Sequence, residues 1–270
     1  MGIRKIASPA NTLIKTTRKL FLRKHRQAEN VFFIEGLRIV GEALRTRQEI
    51  RHIFFCPEML TSEFGHELIA EAEQMGLDII ETNKEVFNTL AQKENPQGMA
   101  AVVAAREDVI NSIDRHPGVW IGLVGIQDPG NLGSIMRSAD ASGSRGIILL
   151  ENTTDAWHPT AVRASMGAMF NQRIILADYE ELRTLKGRVA VHMVGALSQT
   201  AQSYRRYNYP QNMILLLGSE QKGLPQQYTV LCDGFIHIPM KGSADSLNLA
   251  NAASIILFEI MYQHERKKDD

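Results

Sequence analysis

The sequence predicts an α/β protein in two parts. Apolar runs of strand length alternate with helical patterns from end to end, and the alternation starts afresh after the polar stretch Arg106 to Gly118, which closes on Pro117 and Gly118. A chain of 270 residues that is 44% hydrophobic can bury one large core or two modest ones, and the restart favours two. The expected division is an N-terminal domain over 1–106, a linker over 107–118 and a second domain over 119–270.

In the first part VFFIE (31–35) and IRHIFFC (50–56) read as strands, with Leu37, Val40, Ala43 and Leu44 marking a helix between them. A second helix starts near Thr61 or Ser62 and stops at Gly76, because hydroxyl side chains cap helix starts and glycine tolerates the conformation that ends them. LDIIE (77–81) and GMAAVVAA (98–105) complete four short strands. In the second part VWIGLVG (119–125), GIILL (146–150), QRIILA (172–177), RVAVHMVGA (188–196), NMILLLG (212–218) and FIHIP (235–239) are near-continuous apolar runs. Strands covered on both faces of a parallel sheet have this composition. A last helix is expected over Leu247 to Tyr262, followed by HERKKDD as a frayed tail.

Bulk composition excludes several classes. No run approaches the roughly 18 apolar residues of a membrane span, so no membrane partner is expected. Only Cys56 and Cys232 are present, distant and without zinc spacing, which argues against a metal site or disulfide framework and for a reducing, cytoplasmic setting. Formal charge is zero overall but uneven: residues 1–50 carry a net +7, residues 51–114 a net −8. Met1 to Ala28 holds Arg4, Lys5, Lys15, Arg18, Lys19, Arg23, Lys24 and Arg26 with no acidic residue. Such an arm suits counterion-displacing contact with nucleic acid. A mitochondrial transit segment has a similar composition, and a merely solvated helix face is the third reading.

Polar side chains cluster at three strand ends, where open parallel sheets place ligands. After the first strand of the second part, Asp128, Pro129 and Gly130 make a turn, Asn131 falls at a capping position and Arg137 comes later on the helix. LLLGSEQKGL (215–224) sets Ser219 and Glu220 after Gly218, which permits close backbone approach. IPMKGSADSLNLANAASIILFEI (238–260) brings Ser246 as a helix cap and Asn248 near the start of the last helix.

In order and spacing, N-x5-R, L-G-S-E and I-P-M-x-G-S-x-x-S-L-N resemble the three motifs of the SpoU family of RNA ribose 2′-O-methyltransferases, within the SPOUT superfamily. The resemblance covers roughly 119–262. More weakly, the basic start, FFIEGLRIVGEAL (32–44) and NPQGMAAVV (95–103) resemble the L30e-like substrate-binding domain that precedes the catalytic domain in part of this family. The resemblance implies a trefoil-knotted C-terminal domain, a homodimer across the knot, and S-adenosylmethionine as cofactor. The cofactor is expected against Ala196, Leu197, Gly218, Ile238, Met240 and Leu247. By the same resemblance Arg137 is the central catalytic residue, with Asn131 and Glu220 orienting it and Ser246 and Asn248 shaping the nucleotide and cofactor sites. A literal arginine base is chemically awkward, since an arginine side chain gives up its proton only far above neutral pH, so a clamp on ribose and phosphate is the expected role. Arg23, Lys24, Arg26, Arg38 and Arg163 are the expected RNA contacts, the last in a segment, HPTAVRASMGA (158–168), that resembles a family loop containing His158 and Ser165.

The RNA is expected to be ribosomal, of the 23S type, with transfer RNA as the alternative and no metal required. Two other readings stay open. A non-catalytic RNA-binding or ribosome-assembly factor of this fold suits the basic arm but not the complete motif set. A dinucleotide-dependent oxidoreductase suits the α/β pattern but lacks G-x-G-x-x-G.

Overall fold

The computed structural model describes residues 2–198 and 202–269. Two compact units emerge: residues 1–105 with 157–170, and residues 106–156 with 171–270. The first unit is built on a five-stranded sheet. Its elements run β1 (Arg4–Ile6), α1 (Thr12–Lys19), α2 (Arg23–Glu29), β2 (Val31–Glu35), α3 (Leu37–Arg45), β3 (Ile50–Phe55), α4 (Glu63–Gln74), β4 (Ile79–Thr82), α5 (Lys84–Leu90) and β5 (Met99–Ala104). The sheet order is β1-β4-β3-β5-β2. β1 and β3 run parallel to β4, whereas β5 pairs antiparallel with both β2 and β3.

Alternation along the strands divides the core. Val31 and Phe33 of β2 pack with Ile14, Leu20, Phe54, Phe87 and Leu90 on one face. Four expected strands are therefore five: β1 comes from the basic arm and lies along β4 in register Arg4 to Ile80. The arm is part of the fold, because Ile6, Ile14 and Leu20 are buried in this core. Asn11 caps α1 through the Leu13 N–H at 2.9 Å, and Asn83 caps α5 through the Val86 N–H at 2.9 Å. Both are side chains accepting an otherwise orphaned helix N–H. Ser62 does the same for α4, where a cap was expected near this position.

The second unit contains β6 (Val119–Val124), α6 (Pro129–Ala141), β7 (Gly146–Leu150), β8 (Arg173–Ala177), α8 (Tyr179–Arg188), β9 (His192–Ala196), β10 (Met213–Gly218), α9 (Gln226–Thr229), β11 (Gly234–Ile236) and α10 (Leu249–Asp269). α7 (Pro159–Ser165), between β7 and β8 in sequence, belongs to the first unit, where Phe170 meets Phe32 with ring centroids 6.3 Å apart. All six strands are parallel in the order β11-β9-β10-β6-β7-β8. β6 thus sits where the chain reverses its direction of travel across the sheet, between β7 on one side and β10 on the other. Trp120, Ile148, Leu150, Ile214 and Leu216 lie in the buried core on one face.

Two further segments differ from expectation. Within 107–118, Ile110–Arg115 forms a 3-10 turn whose Ile110 and Ile113 are buried in the second unit's core. The last helix begins at Leu249 and reaches Asp269 rather than fraying after Tyr262, because Lys267 donates to Asn208 Oδ1 at 2.6 Å and to the Tyr209 carbonyl at 2.9 Å. Asp270 lies outside the described residues.

Candidate functional site at the carboxyl ends of the parallel sheet

The turn after β6 is capped by Asp128, whose Oδ1 accepts the Gly130 N–H at 2.6 Å and the Asn131 N–H at 3.4 Å. Pro129 takes the first helical position, where its missing N–H costs nothing. Asn131 is therefore not the cap that spacing suggested. Displaced into the first turn, its carboxamide is free to bridge outward. Asn131 Nδ2 donates to Glu220 Oε1, and Asn131 Oδ1 accepts from Asn248 Nδ2 at 2.9 Å.

Asn248 completes its own valence by capping α10, its Oδ1 accepting the Ala250 N–H at 3.0 Å and the Asn251 N–H at 3.3 Å. Capping thus falls to Asn248, while Ser246 stands exposed in the preceding loop. Farther along, Ser138 Oγ on α6 lies 2.6 Å from Ser254 Oγ on α10. One relay of amide and carboxylate therefore ties three segments, with 89 and 117 residues separating the bonded pairs in sequence.

Glu220 is positioned by a tight turn. Gly223 donates from its N–H to the Ser219 carbonyl at 2.8 Å, and the Lys222 N–H reaches Ser219 Oγ at 3.2 Å. The turn folds back so closely on β10 that a methyl at Gly218 would lie 2.1 Å from the Gly223 carbonyl carbon and oxygen. Only glycine fits there. A second tether holds α9: its buried Tyr228 donates to Glu151 Oε1 at 2.7 Å, and Gln227 Nε2 donates to the same oxygen at 3.0 Å. Burial, then the bond to Glu151, pushes the Tyr228 phenol above its usual range, so it acts as a fixed donor. Sequence reasoning missed Glu151 and Tyr228, and it placed Asp128 only in the turn. The one trace of Glu151 is a polar residue directly after the β7 apolar run.

Arg137 lies on the exposed side of α6, and no hydrogen bond or ion pair joins its guanidinium to another described residue. Asn131 bonds both Glu220 and Asn248, so the relay does not hold the guanidinium directly. Ala196 and Leu197 stand at the end of β9 and are half-buried, the Leu197 N–H being taken by the Ile236 carbonyl at 2.9 Å. Gly218 ends β10 and is buried. Ile238 and Leu247 are half-buried at the two ends of one loop, in which Met240 is exposed. Between Ile238 and Leu247 no backbone group hydrogen-bonds to the backbone of another described residue. Backbone groups without internal partners are available to a ligand or to water, and here they border apolar side chains, as an adenosyl group requires.

In the first unit Arg23, Lys24, Arg38 and Arg163 are exposed. Arg26 is not. It is 4% exposed, and its Nη1 donates to the Leu20 carbonyl at 2.7 Å, so the expectation of an RNA contact gives way to a side chain that joins α2 to the end of α1. Arg163 and Lys93 lie near Glu35, whose carboxyl is raised chiefly by burial and lowered in part by those cations. His158 caps α7 through Nδ1 at 3.2 Å from the Thr160 N–H, and Ser165 is buried with its hydroxyl on the Val162 carbonyl.

Comparison with known proteins shows the family. Residues 118–258 match the SpoU rRNA methylase family, and residues 11–101 match an MRM3-like substrate binding domain. The chain is 30% identical over 256 residues to a 23S rRNA (uridine(2479)-2′-O)-methyltransferase of Streptomyces viridochromogenes, covering 89% of this chain and 86% of that protein. It is 27% identical to the Bacillus subtilis 23S rRNA (guanosine(2553)-2′-O)-methyltransferase RlmP, covering 96% and 99%. The crystal structure of an AdoMet-bound rRNA methyltransferase from Sinorhizobium meliloti superposes with a TM-score of 0.87 at 32% identity, covering 97% of this chain and 98% of that one. The chain belongs to the SpoU rRNA methylase family.

Proposed function

We propose that this protein transfers a methyl group from S-adenosylmethionine to a ribose 2′-hydroxyl of ribosomal RNA of the 23S type. The observation that carries this reading is the Asn248–Asn131–Glu220 relay, which draws all three motifs to one end of the parallel sheet. Bound there, the cofactor supplies a sulfonium methyl that an oxygen nucleophile can take in line. The chain's own part is positioning, which lowers such a barrier by making the encounter effectively intramolecular.

Gly218, Ala196, Leu197 and the loop with Ile238, Met240 and Leu247 form the cofactor wall in this reading. Arg137 reaches outward as a clamp on the ribose and its phosphate, since the planar fork of a guanidinium suits phosphate oxygens. Asn131 fixes Glu220 and Asn248, which sets the spacing between the two loops that flank the ribose. Ser246, exposed beside Leu247, shapes the nucleotide side. Arg23, Lys24, Arg38 and Arg163 hold the RNA backbone from the first unit.

Preference for ribosomal over transfer RNA rests on the names of the two relatives above. The homodimer rests on α10, where Ile255, Phe258 and Tyr262 expose 37%, 44% and 53% of their surface at helical spacing. An apolar stripe of that kind marks an association surface. A trefoil knot in the second unit and a cytoplasmic setting belong to the same reading. No described helix is long and apolar enough to cross a membrane.

Isothermal titration with S-adenosylmethionine, followed by transfer of labelled methyl to deproteinised ribosomal and transfer RNA in parallel, tests the proposal. Saturable cofactor binding with label in ribosomal RNA alone is expected. Binding without transfer to any RNA would return the protein to the class of non-catalytic RNA-binding factors.

A further inference from the structure

The first unit contains a cleft of about 470 Å³ between α1, α2 and the sheet, which falls within the usual range of roughly 300–1,000 Å³ for sites that hold a small molecule. Its wall is apolar where Leu20, Val31 and Val102 meet it, and its rim carries Lys19, Arg51, His25, His52 and Glu29. None of these residues belongs to the cluster at the end of the parallel sheet. We infer that this cleft receives one unstacked nucleotide of the RNA substrate, its amino-bearing base inside and its phosphate on Lys19 and Arg51. The inference rests on RNA being the substrate and says where the first unit grips it.

Four features argue for a nucleotide. His52 is held in place by a hydrogen bond between Nδ1 and Asp78 Oδ2 at 2.7 Å, and Asp78 is in turn held by Arg4 Nε at 3.0 Å. An imidazole so fixed offers the cleft a ring whose orientation is set before binding, and aromatic rings of fixed orientation are the platforms on which unpaired bases stack. Arg51 forms an ion pair with Glu49 at 2.8 Å, and both side chains are more than half exposed. Ion pairs this exposed contribute little, so the guanidinium can exchange Glu49 for a phosphate at small cost. Glu29, an acceptor-only carboxylate, suits the exocyclic amino group of cytosine, adenine or guanine and opposes the carbonyl edge of uracil. Finally, single-stranded loops and splayed bases are what sequence-reading RNA-binding surfaces engage, and an apolar floor beneath a cationic rim matches one base with one phosphate.

Two variants perturb the cleft from exposed positions on α1. Thr16→Trp fills the opening, and Lys19→Glu reverses a rim charge. In steady-state methyl transfer to ribosomal RNA each should raise KM for RNA about tenfold, the equivalent of one lost stacking or phosphate contact, and leave kcat and cofactor affinity unchanged. Separately, fluorescence anisotropy of labelled octacytidylate and octauridylate should show the full-length wild type binding the cytidine oligomer more tightly, with Glu29→Gln abolishing that preference. KM within about twofold of wild type for both α1 variants, or equal binding of the two oligomers by wild type, would overturn the inference. Absence of methyl transfer by the wild type to every RNA would instead defeat the functional reading, and the oligomer comparison would still decide the cleft.

Discussion

The coupling between Asn131 and Glu220 can be measured directly. Asn131→Ala removes the donor that holds the Glu220 carboxylate and the acceptor that takes Asn248 Nδ2. A hydrogen bond to a charged group contributes about 1.5–3 kcal/mol and a neutral one about 0.5–1.5 kcal/mol. Glu220 and Asn248 are exposed, so water recovers much of each loss and the low end of each range applies. An effect of about 2 kcal/mol on the placement of the two loops corresponds to roughly thirtyfold in kcat/KM. Asn131→Asp separates the two bonds. It keeps an acceptor for Asn248 but sets a carboxylate against Glu220, and should be at least as damaging as alanine. In a double-mutant cycle with Glu220→Gln, methyl-transfer rates should give a coupling of about 1–2 kcal/mol, since residues in one hydrogen-bond network are not additive. Additive single-variant effects, within about 0.4 kcal/mol, would refute the claim that the relay acts as a unit.

Four other outcomes are expected of the same structure. Arg137→Ala should abolish turnover while leaving the cofactor dissociation constant within about threefold, as measured by titration calorimetry, because the guanidinium makes no hydrogen bond or ion pair with another described residue. Arg26→Ala should lower stability to urea by about 2–3 kcal/mol through loss of a buried charged donor. Arg23→Ala, on the exposed side of the same helix, should leave stability unchanged but reduce the salt slope of RNA binding by about one. Burial alone would raise the Asp78 carboxyl, but hydrogen bonds from Arg4 and His52 outweigh it and hold it below the usual carboxylate range. A group depressed in the folded state stabilises above its unfolded pKa, about 3.9 for aspartate, and loses that contribution as pH falls through the folded value. Asp78→Asn should therefore reduce stability at neutral pH and flatten the acid limb of the urea midpoint against pH.

What was legible in the sequence was whatever depends on local pattern. The parallel strands β6, β7 and β10 are apolar runs because both faces of the sheet are buried, and Ser62 announces α4. β1 was not legible, because a three-residue segment with two cations gains strand character only by lying along β4. Nor was the direction of Arg26: composition places a cation on α2, while packing decides that it turns inward to the Leu20 carbonyl. The site divides in the same way. Asn131, Glu220 and Asn248 were recognisable as motif residues, but their hydrogen bonds depend on strand order across the sheet. The capping role assigned to Asn131 was displaced by Asp128, for which Pro129 at the next position was the local signal. Segment 157–170 illustrates the limit, since residues that come after β7 in sequence are packed in the other compact unit.

The central claim is that the ends of β6 and β10 and the start of α10 form a site for ribose methylation. Mass spectrometry of nuclease-digested ribosomal RNA, from cells with the gene, without it, and with the Arg137→Ala form, tests this most directly. The expected result is one nucleotide carrying an additional methyl on its ribose only when the unaltered protein is present. A methyl on the base, or a ribose methyl that persists with Arg137→Ala, would contradict it.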